Sequence, residues 1–532
     1  MNGTRFGRAA GMLAIAAVVA LTVGCIGPSN TSTSDGSTLT SVPGLPDNAL
    51  EVMNQPQFAS ARWAISVKDL DTGETLIDLD ANKLAEPGSF VKTYSAGAAW
   101  VKWGPDHTII TPVKQSGSLG DGVLTGDLIL VGQGDLTMGG RTKPGGTVDF
   151  TNLDHNDANP LPGATLTTED PLTGLNELAA QVKASGITTV NGDVIIDDRL
   201  FTGTLANKPI TPIIINQNLL DILITPGAAD EAPSVALTPA VAPWTIDNRI
   251  QTVAKGAEAK LKNPKVDPAN PTTIVLEGTI AAGSEPALKV YEFEDPATFA
   301  RTAFIEALKR AGVAVSADPV KANPTELLPD FATVGALTSV AELESLPLSQ
   351  EVTYVMKVSY NRGAQTLICR LAVSIGEAEC DLGMAVARDI WADAGLDVLG
   401  ASLIDGSGLE GNYITPENAV EIQSLMAKRP DAAGWRATLP ILGVDGSLAS
   451  VQADSPAAGH VFAKTGTLVA ADLFNGRFRL GTKTLGGVMD TKDGRHLAFT
   501  IIVNQGFYAE LEGVFEANED VGKIAAAIQQ AY

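Results

Sequence analysis

Three short polar motifs lie far apart in this chain, and their spacing limits the folds that it can adopt. Ser89-Phe90-Val91-Lys92 follows a Pro-Gly break, Ser359-Tyr360-Asn361 leads into a helical pattern, and Lys464-Thr465-Gly466-Thr467 opens a strand pattern. The patterns Ser-x-x-Lys, Ser-x-Asn and Lys-Thr-Gly each occur once among the 532 residues. Ser89 and Ser359 are 270 positions apart, so if the motifs meet in one cleft, the chain between them must leave that cleft and return. We therefore expect extra domains inserted between two halves of one domain.

Length and element pattern indicate an α+β fold of two or three domains. A chain of 532 residues is too long for one hydrophobic core of usual size. Residues 63–79 alternate around an Asp-x-Gly turn and predict a β-hairpin, while 173–185 and 296–310 show helical periodicity. Three antiparallel strands and a closing helix over 519–530 are expected near the end. Residues 228–290, rich in Ala, Pro and Lys, predict a separate small β-rich module.

The charge of the chain excludes one class of partner. The net charge of −24 argues against nucleic-acid binding, because a phosphate backbone would be repelled. A generally acidic exported surface accounts for this charge, which says little about small substrates.

The N-terminal segment predicts export. Arg5 and Arg8 precede a short apolar run, which is typical of a cleaved signal peptide over residues 1–25. The run ends in LTVGC, which resembles a bacterial lipoprotein signal with Cys25 as the acylated N-terminus. Residues 26–55 are rich in Ser, Thr, Gly, Pro and Asn and predict a flexible tether. These features place the protein at the outer face of the bacterial cytoplasmic membrane or in the cell wall, held by a lipid anchor.

The remaining cysteines and the histidines give weaker signals. Cys369 and Cys380 lie eleven residues apart, and either a disulfide or two buried thiols would suit an exported protein. The four histidines, His107, His155, His460 and His496, are scattered and are expected at the surface or in loops. Without a close Cys/His cluster, the sequence does not predict a zinc site.

The order of the three polar motifs is that of penicillin-recognising serine enzymes. Stretches around them, such as GDLILVGQGDLT, DGSGLEGNYITPENA and HVFAKTGTLVAADLFNGR, extend the similarity to nearly everything after residue 56. The chain resembles the D-alanyl-D-alanine carboxypeptidase/endopeptidase family of class C low-molecular-mass penicillin-binding proteins, typified by penicillin-binding protein 4.

This resemblance implies a penicillin-binding-protein/β-lactamase-like transpeptidase domain, an antiparallel sheet with helices, interrupted by smaller inserted domains. We expect its first part at 56–140, the inserted domains at 141–345 with the 228–290 module innermost, and its second part at 346–532. The implied substrates are peptidoglycan stem peptides, with β-lactam antibiotics as covalent inhibitors and no metal or organic cofactor.

The residue chemistry of the first motif supports a nucleophile and its base. At three-residue spacing on a helix, Ser89 and Lys92 share one face, so the amine reaches the hydroxyl. Serine needs a base to take its proton, and lysine serves as one only when burial or a nearby positive charge lowers its pKa. Lys464 is the expected source of that charge.

The resemblance implies roles for the other motif residues. Ser359 would relay a proton toward the leaving amine, and Asn361 would orient the substrate amide. Lys464 and Thr465 would hold the free carboxylate of the terminal D-alanine. Gly466 would let the substrate pair along the strand edge.

Two more site features follow from the resemblance. The backbone N–H groups of Ser89 and Thr467 would form the oxyanion hole. VIIDDRLFTGTLANKPI resembles the stretch with which the family contacts the amine-bearing side chain of the stem peptide, and Asp197 and Phe201 are the matching positions. Asp197 is equally well explained as a turn residue at a strand end. Asp405, Ser407 and Asp445 lie in turn-like stretches and are expected to be structural.

Two alternatives to a DD-peptidase of peptidoglycan stay open. One is a β-lactamase or esterase with the same acyl-enzyme chemistry, although no Glu-x-x-x-Asn pattern lies between Ser359 and Lys464. The other is an inactive cell-wall-binding lipoprotein, which would need neither Lys92 nor Ser359.

Overall fold

The computed structural model describes residues 39–532, and the predicted signal peptide and Cys25 lie outside this range. The first part of the described chain contains two α-helices and two strands: α1 (Asp47–Met53), β1 (Arg62–Asp69), β2 (Thr75–Leu79) and α2 (Lys92–Trp103). The hairpin predicted over 63–79 is confirmed as β1 and β2. None of the helices within the described range combines the length and apolar character needed to cross a membrane.

The middle of the chain is rich in short strands. Its elements are β3 (Ile110–Gly120), β4 (Val123–Val131), α3 (Thr173–Ala184), β5 (Thr189–Asn191), β6 (Val194–Asp197), β7 (Gly203–Leu205), β8 (Lys208–Ile210), β9 (Leu219–Thr225), β10 (Ser234–Thr238), β11 (Thr245–Val253), β12 (Lys260–Leu261), β13 (Lys265–Asp267), β14 (Asn270–Ala281), β15 (Ala287–Glu292), α4 (Pro296–Arg310), β16 (Ala314–Val315), α5 (Phe331–Ala336) and β17 (Thr338–Glu344). The predicted helix over 296–310 is confirmed, and it begins where Asp295 accepts a 3.0 Å hydrogen bond from the backbone of Thr298.

The last part of the chain carries most of the helices and three long strands. Its elements are α6 (Leu348–Lys357), α7 (Asn361–Val373), α8 (Leu382–Asp393), β18 (Ala401–Ser402), β19 (Tyr413–Ile414), α9 (Pro416–Ala427), α10 (Ala432–Thr438), β20 (Val461–Asp472), β21 (Arg477–Asp490), β22 (His496–Tyr508) and α11 (Leu511–Ala531). Helix α11 begins eight residues before the expected start at 519, because its buried stripe already starts at Val514. Cys369 and Cys380 form a disulfide, which decides between the two alternatives.

The two ends of the chain build one antiparallel sheet. Its strand order is β2-β1-β22-β21-β20, so the first hairpin joins the last three strands through the pairing of β1 with β22. Strand β22 alternates between two cores: Ile501 and Val503 pack with α1 and α11, and Ile502 packs with α2 and α6 to α10. This helix-covered sheet confirms the predicted α+β transpeptidase-like fold.

The inserted part starts earlier than the sequence indicated. Strands β3 and β4 pair with β5, β6 and β17 in a separate six-stranded sheet, so the insert begins at Ile110 and not near residue 141. The innermost module begins at Leu219, ahead of the expected residue 228, because β9 pairs with both β10 and β15. Both boundaries were wrong because a strand sequence does not reveal its pairing partner.

The predicted tether over 26–55 is wrong for its described part. Within residues 39–55, helix α1 buries Leu50, Val52 and Met53 in the core that α11 shares. Tyr532 at the other end of the chain donates a 2.9 Å hydrogen bond to the carbonyl oxygen of Gly44. The segment therefore belongs to the folded domain, and its Pro and Asn residues form a turn and helix ends.

Candidate active site

Ser89 lies on a tight turn that packs against the edge strand of the sheet. A 3₁₀ turn spans Gly88–Val91 and leads directly into α2, whose first residue is Lys92. The turn approaches β20 so closely that a Cβ atom on Gly88 would lie 2.8 Å from the backbone nitrogen of Thr467. A Cβ atom on Gly466 would lie 2.0 Å from the carbonyl oxygen of Pro87. Glycine at both positions thus brings the serine to the strand.

The amine of Lys92 is completely buried among three oxygens. Its Nζ atom lies 2.7 Å from Ser89 Oγ, 2.6 Å from Asn361 Oδ1 and 2.8 Å from the carbonyl oxygen of Ser407. Burial lowers the pKa of Lys92 to about 7, against the opposing charges of Asp405 and Asp157. This amine is accordingly half neutral near neutral pH.

The loop that carries the Ser407 carbonyl is held by a buried carboxylate. Asp405 accepts hydrogen bonds from the backbone nitrogens of Ser407 and Gly408, at 2.6 and 2.8 Å, and from the Ser407 hydroxyl at 2.7 Å. Asp405 therefore has the structural role that the sequence predicted. The contact of the Ser407 carbonyl with Lys92 was not predicted, because a backbone acceptor leaves no signal in the sequence.

Ser359 occupies the corner between α6 and α7 and faces the Lys-Thr-Gly strand. Its φ of +58° lies in the left-handed region that disfavours residues other than glycine. Its hydroxyl accepts a 2.9 Å hydrogen bond from Lys464 Nζ, which also donates to the carbonyl oxygen of Thr465 at 2.8 Å.

The sequence predicted that the charge of Lys464 lowers the pKa of Lys92, and the structure differs from this expectation. Burial, followed by the charges of Lys92 and Lys483, holds the pKa of Lys464 well below its usual range. The low pKa of Lys92, in contrast, comes from burial rather than from the charge of Lys464. The sequence could not show this difference, because the pKa of each lysine depends on how deeply the fold buries its amine.

The three motifs meet in one open cleft of about 980 Å³. Ser89, Ser359, Asn361, Thr465 and Thr467 all contribute to its wall. The structure therefore brings the three motifs together in one cleft, as the sequence predicted.

Four charged residues that were not predicted also line the cleft, namely Asp157, Lys357, Lys483 and Glu519. Lys483 projects from β21, and Asp157 comes from the segment between β4 and α3. We call residues 139–170 of that segment the cleft loop. Burial, followed by the charge of Asp154, raises the pKa of Asp157 to about 6, while Lys92 and Lys464 oppose the rise.

A buried ionic network fixes the cleft loop. Arg141 makes two hydrogen bonds to Asp154, at 2.6 and 2.9 Å. The ring of His155 lies between Arg141 Nη2, 2.9 Å from Nε2, and Asp221 Oδ1, 2.8 Å from Nδ1. Of the two expected positions, surface or loop, His155 takes the loop, but its side chain is fully buried because its two ring nitrogens bridge charged partners.

Asp197 and Phe201 do not reach this cleft. Asp197 ends β6 with its buried carboxylate bound by Arg199, at 2.8 Å from both Nε and Nη2. Phe201 is buried in a small core with the Cys369–Cys380 disulfide. The structure thus favours the turn reading of Asp197 and gives Phe201 a packing role.

The fold and the cleft together define the class: a serine peptidase with a penicillin-binding-protein-like fold. The family model described as D-Ala-D-Ala carboxypeptidase 3 (S13) matches residues 46–514, and the chain belongs to that family. A D-alanyl-D-alanine carboxypeptidase from Actinomadura sp. (strain R39) is 28% identical over 485 residues, 85% of this chain and 79% of the relative. The D-alanyl-D-alanine carboxypeptidase DacB from Haemophilus influenzae is 24% identical over 469 residues, 84% and 86% of the two chains.

Solved structures show the same fold. The crystal structure of penicillin-binding protein 4 from Haemophilus influenzae matches with a TM-score of 0.63 at 20% identity, covering 89% of this chain and 98% of the other. The same protein complexed with a β-lactam matches with a TM-score of 0.64 at 21% identity, covering 90% and 98%.

Proposed function

We propose that the protein is an exported serine DD-peptidase that cleaves the D-Ala-D-Ala terminus of peptidoglycan stem peptides, their D-Ala-diamino-acid crosslinks, or both, through an acyl-enzyme on Ser89. The observation that carries the proposal is the 2.7 Å contact between Ser89 Oγ and Lys92 Nζ, an amine whose pKa burial lowers to about 7. A lysine in this state is able to take the serine proton near neutral pH.

The geometry around Lys92 suits a base. A neutral amine has two N–H groups and one lone pair, whereas Asn361 Oδ1 and the Ser407 carbonyl only accept hydrogen bonds. These two acceptors take both N–H groups, so the lone pair faces the hydroxyl of Ser89. Lys92 removes that proton as Ser89 Oγ attacks the carbonyl carbon of the penultimate D-alanine.

The second half of the acylation step uses Ser359. The negative charge that develops on the carbonyl oxygen is stabilised by the backbone N–H groups of Ser89 and Thr467, which the close approach at Gly88 brings together. The C–N bond breaks, and the leaving amine takes a proton from the hydroxyl of Ser359, which regains one from Lys464 through their 2.9 Å hydrogen bond. Water then hydrolyses the ester and frees Ser89.

Names of relatives support the substrate class, and the N-terminal pattern supports the location. The relative from Actinomadura is a D-alanyl-D-alanine carboxypeptidase, and the fold match from Haemophilus influenzae binds a β-lactam. We extend both properties to this chain, with penicillin acylating Ser89. Export and a lipid anchor at Cys25 rest on the signal-like residues 1–25.

The test compares the full-length protein with Ser89→Ala and with Ser118→Ala, an exposed serine of the insert. Each is incubated with fluorescent penicillin and then with a peptide ending in D-Ala-D-Ala. We expect stable labelling and D-alanine release in the parent and in Ser118→Ala, and neither in Ser89→Ala. Rapid turnover of the label would instead indicate a β-lactamase, and absence of both in a folded parent would indicate a cell-wall-binding lipoprotein.

A further inference from the structure

Lys357 lines the cleft but has no part in the chemistry described above. It is the last residue of α6, two positions before Ser359, and its side chain is only 3% exposed. Its Nζ atom lies 2.7 Å from each of three acceptors, which are the two carboxylate oxygens of Asp445 and the carbonyl oxygen of Leu439. An ammonium group has three N–H donors, and these acceptors use all of them. Lys357 therefore has no donor left for a substrate.

Asp445 compensates the buried amine and also shapes its own loop. Burial lowers the pKa of Lys357, while the hydrogen bonds and the charge of Asp445 oppose the decrease. The carboxylate of Asp445 also accepts a 2.9 Å hydrogen bond from the backbone nitrogen of Ile441. One side chain thus binds the end of α6 and fixes the turn over residues 441–445.

Residues 440–446, which we call the Asp445 loop, lie beside the start of β20. Ile441 pairs with Phe462 in an antiparallel bridge, and the backbone nitrogen of Ala463 donates a 2.9 Å hydrogen bond to the carbonyl oxygen of Pro440. The residue after Ala463 is Lys464. The ion pair between Lys357 and Asp445 therefore connects the corner between α6 and α7 to the strand that carries Lys464.

The contact between Lys464 Nζ and Ser359 Oγ joins the same two parts of the fold. Ser359 follows Lys357 by two residues, and its φ of +58° is strained for a serine. A strained residue keeps its conformation only where the surrounding structure fixes it. The ion pair is the charged contact nearest in sequence to Ser359 that supplies such a constraint.

The Asp445 loop also approaches a second residue of the cleft. It continues into Ser447, whose Oγ atom lies 2.9 Å from Thr465 Oγ1. A displacement of the loop that acted through Thr465 would weaken substrate binding and raise KM. A displacement that acted through Ser359 would slow proton transfer and lower kcat. Steady-state kinetics therefore distinguish the two effects.

We propose that Lys357 and Asp445 are positioning residues, whose ion pair holds the hydroxyl of Ser359 at hydrogen-bonding distance from Lys464 and so keeps the proton relay to the leaving amine in place. This role deepens the proposed function and rests on it. Lys357 acts through Ser359 because its own donors are occupied.

The experiment compares the full-length parent with Asp445→Asn, Ser359→Gly, the double variant of these two, and Asp193→Asn. Asp193 lies in the insert, outside the cleft, and is 22% exposed against 26% for Asp445. Its partner, Arg301, is a buried cation at 2.6 Å, so Asp193→Asn removes the same charge from an ion pair of similar burial. D-alanine release from an acyl-D-Ala-D-Ala peptide gives kcat and KM. Penicillin labelling gives the acylation rate in slow variants, and urea unfolding gives the stability.

In Asp445→Asn we expect kcat to fall roughly 10- to 100-fold while KM changes less than about threefold, because a shift of about 1 Å in a reacting group costs up to about 100-fold in rate. Asp193→Asn should lose a comparable part of its stability and keep the parental kcat. In the Ser359→Gly background, Asp445→Asn should slow labelling by less than about a further threefold, since the relay is already lost.

Three results would overturn the proposal: a folded Asp445→Asn with parental kcat, a loss that appears mainly in KM, or an equally large further loss in the Ser359→Gly background. If Asp445→Asn does not fold, the double variant Lys357→Met/Asp445→Leu replaces it, because apolar side chains of similar size often replace a buried ion pair without loss of stability. This variant should fold with a low kcat, and a parental kcat would contradict the positioning role.

Failure of the proposed function gives a different result. In that case the parent releases no D-alanine and is not labelled by penicillin, or both activities persist in Ser89→Ala. The positioning role alone fails when the parent is active, Ser89→Ala is inactive and Asp445→Asn behaves like Asp193→Asn.

Discussion

The amine of Lys464 donates a 2.9 Å hydrogen bond to the hydroxyl of Ser359 and thereby joins the edge strand to the corner between α6 and α7. The corner keeps Ser359 at a φ of +58°, a conformation that costs a serine energy. The following residue, Tyr360, donates a backbone hydrogen bond to Val355 at 3.0 Å, and Asn361 Oδ1 binds Lys92. The surrounding contacts thus hold a strained backbone where the proposed proton relay needs a hydroxyl.

Replacing Ser359 with glycine separates the hydroxyl from the backbone strain. Glycine adopts this φ without steric cost, so we expect the free energy of unfolding to fall by no more than about 1 kcal/mol. Loss of the relay should lower kcat for D-alanine release roughly 10²- to 10⁴-fold. Urea unfolding and steady-state kinetics measure the two effects, and a folded Ser359→Gly with parental kcat would remove Ser359 from the mechanism.

The pH dependence of acylation should follow Lys92. Only the neutral amine accepts the serine proton, and burial lowers the pKa of Lys92 to about 7. The rate of labelling by fluorescent penicillin should therefore rise about tenfold per pH unit below that value and level off above it. Labelling rates measured from pH 5.5 to 9 test this, and a rise centred near the ordinary lysine value would contradict it.

The charge of Asp157 should shift the pH dependence of penicillin labelling. Its negative charge favours the ammonium form of Lys92, so Asp157→Asn should lower the pKa of Lys92 and shift the rising limb to lower pH. The pKa of Asp157 itself is about 6, so parent and variant should converge at lower pH, where Asp157 is protonated. Asp493→Asn, an exposed carboxylate in the turn after β21, is the matched control and should leave the profile unchanged.

The turn that carries Ser89 approaches β20 so closely that we expect Gly466 not to tolerate a side chain. An alanine Cβ would lie 2.0 Å from the carbonyl oxygen of Pro87, so turn and strand must separate. We expect Gly466→Ala to cost about 1–3 kcal/mol of stability and to slow penicillin labelling at least about tenfold. Gly120→Ala, in which the new Cβ meets no atom within 4 Å, is the control. Equal labelling rates in both variants would show that the distance between the Ser89 turn and β20 does not affect acylation.

The sequence predicted the parts of the site that lie in short motifs. Ser89 and Lys92 are three residues apart, and Ser359 and Asn361 are two apart, so local spacing alone sets much of their geometry. The strands at 63–79 and near the C-terminus were also predictable, since each carries its own alternating pattern.

Residues that act through distant pairing were not predictable. Lys483 reaches Thr467 only because β20 and β21 pair in one register, and a single sequence does not specify that register. The burial of His155 was not predictable because Asp221, its partner, follows 66 residues later. The same reason explains the wrong assignment of β3 and β4, whose neighbours β5, β6 and β17 come later in the chain.

The buried network of the cleft loop predicts a large effect from one substitution. Arg141→Met leaves the carboxylate of Asp154, which is inaccessible to solvent, without its two hydrogen bonds from the guanidinium. Asp154 then keeps only backbone donors, from Thr151 and His155, and the loss of the ion-pair partner of a buried charge costs about 3–5 kcal/mol. The same loop carries Asp157, and its Asn152 Oδ1 accepts a 2.9 Å hydrogen bond from the backbone of Gly446. Greater mobility of the loop should therefore also disturb the cleft.

Lys143→Met is the control for this substitution, since Lys143 pairs with Asp149 at 3.5 Å on the surface of the same loop and should contribute about 1 kcal/mol or less. Hydrogen exchange should show faster exchange over residues 141–165 in Arg141→Met and not in Lys143→Met. Urea unfolding should show the corresponding loss of stability. If both variants exchange at the parental rate, the loop is held by its apolar contacts, because Leu153, Ala158 and Ala164 pack against Leu219 and Val290, and the ionic network is dispensable.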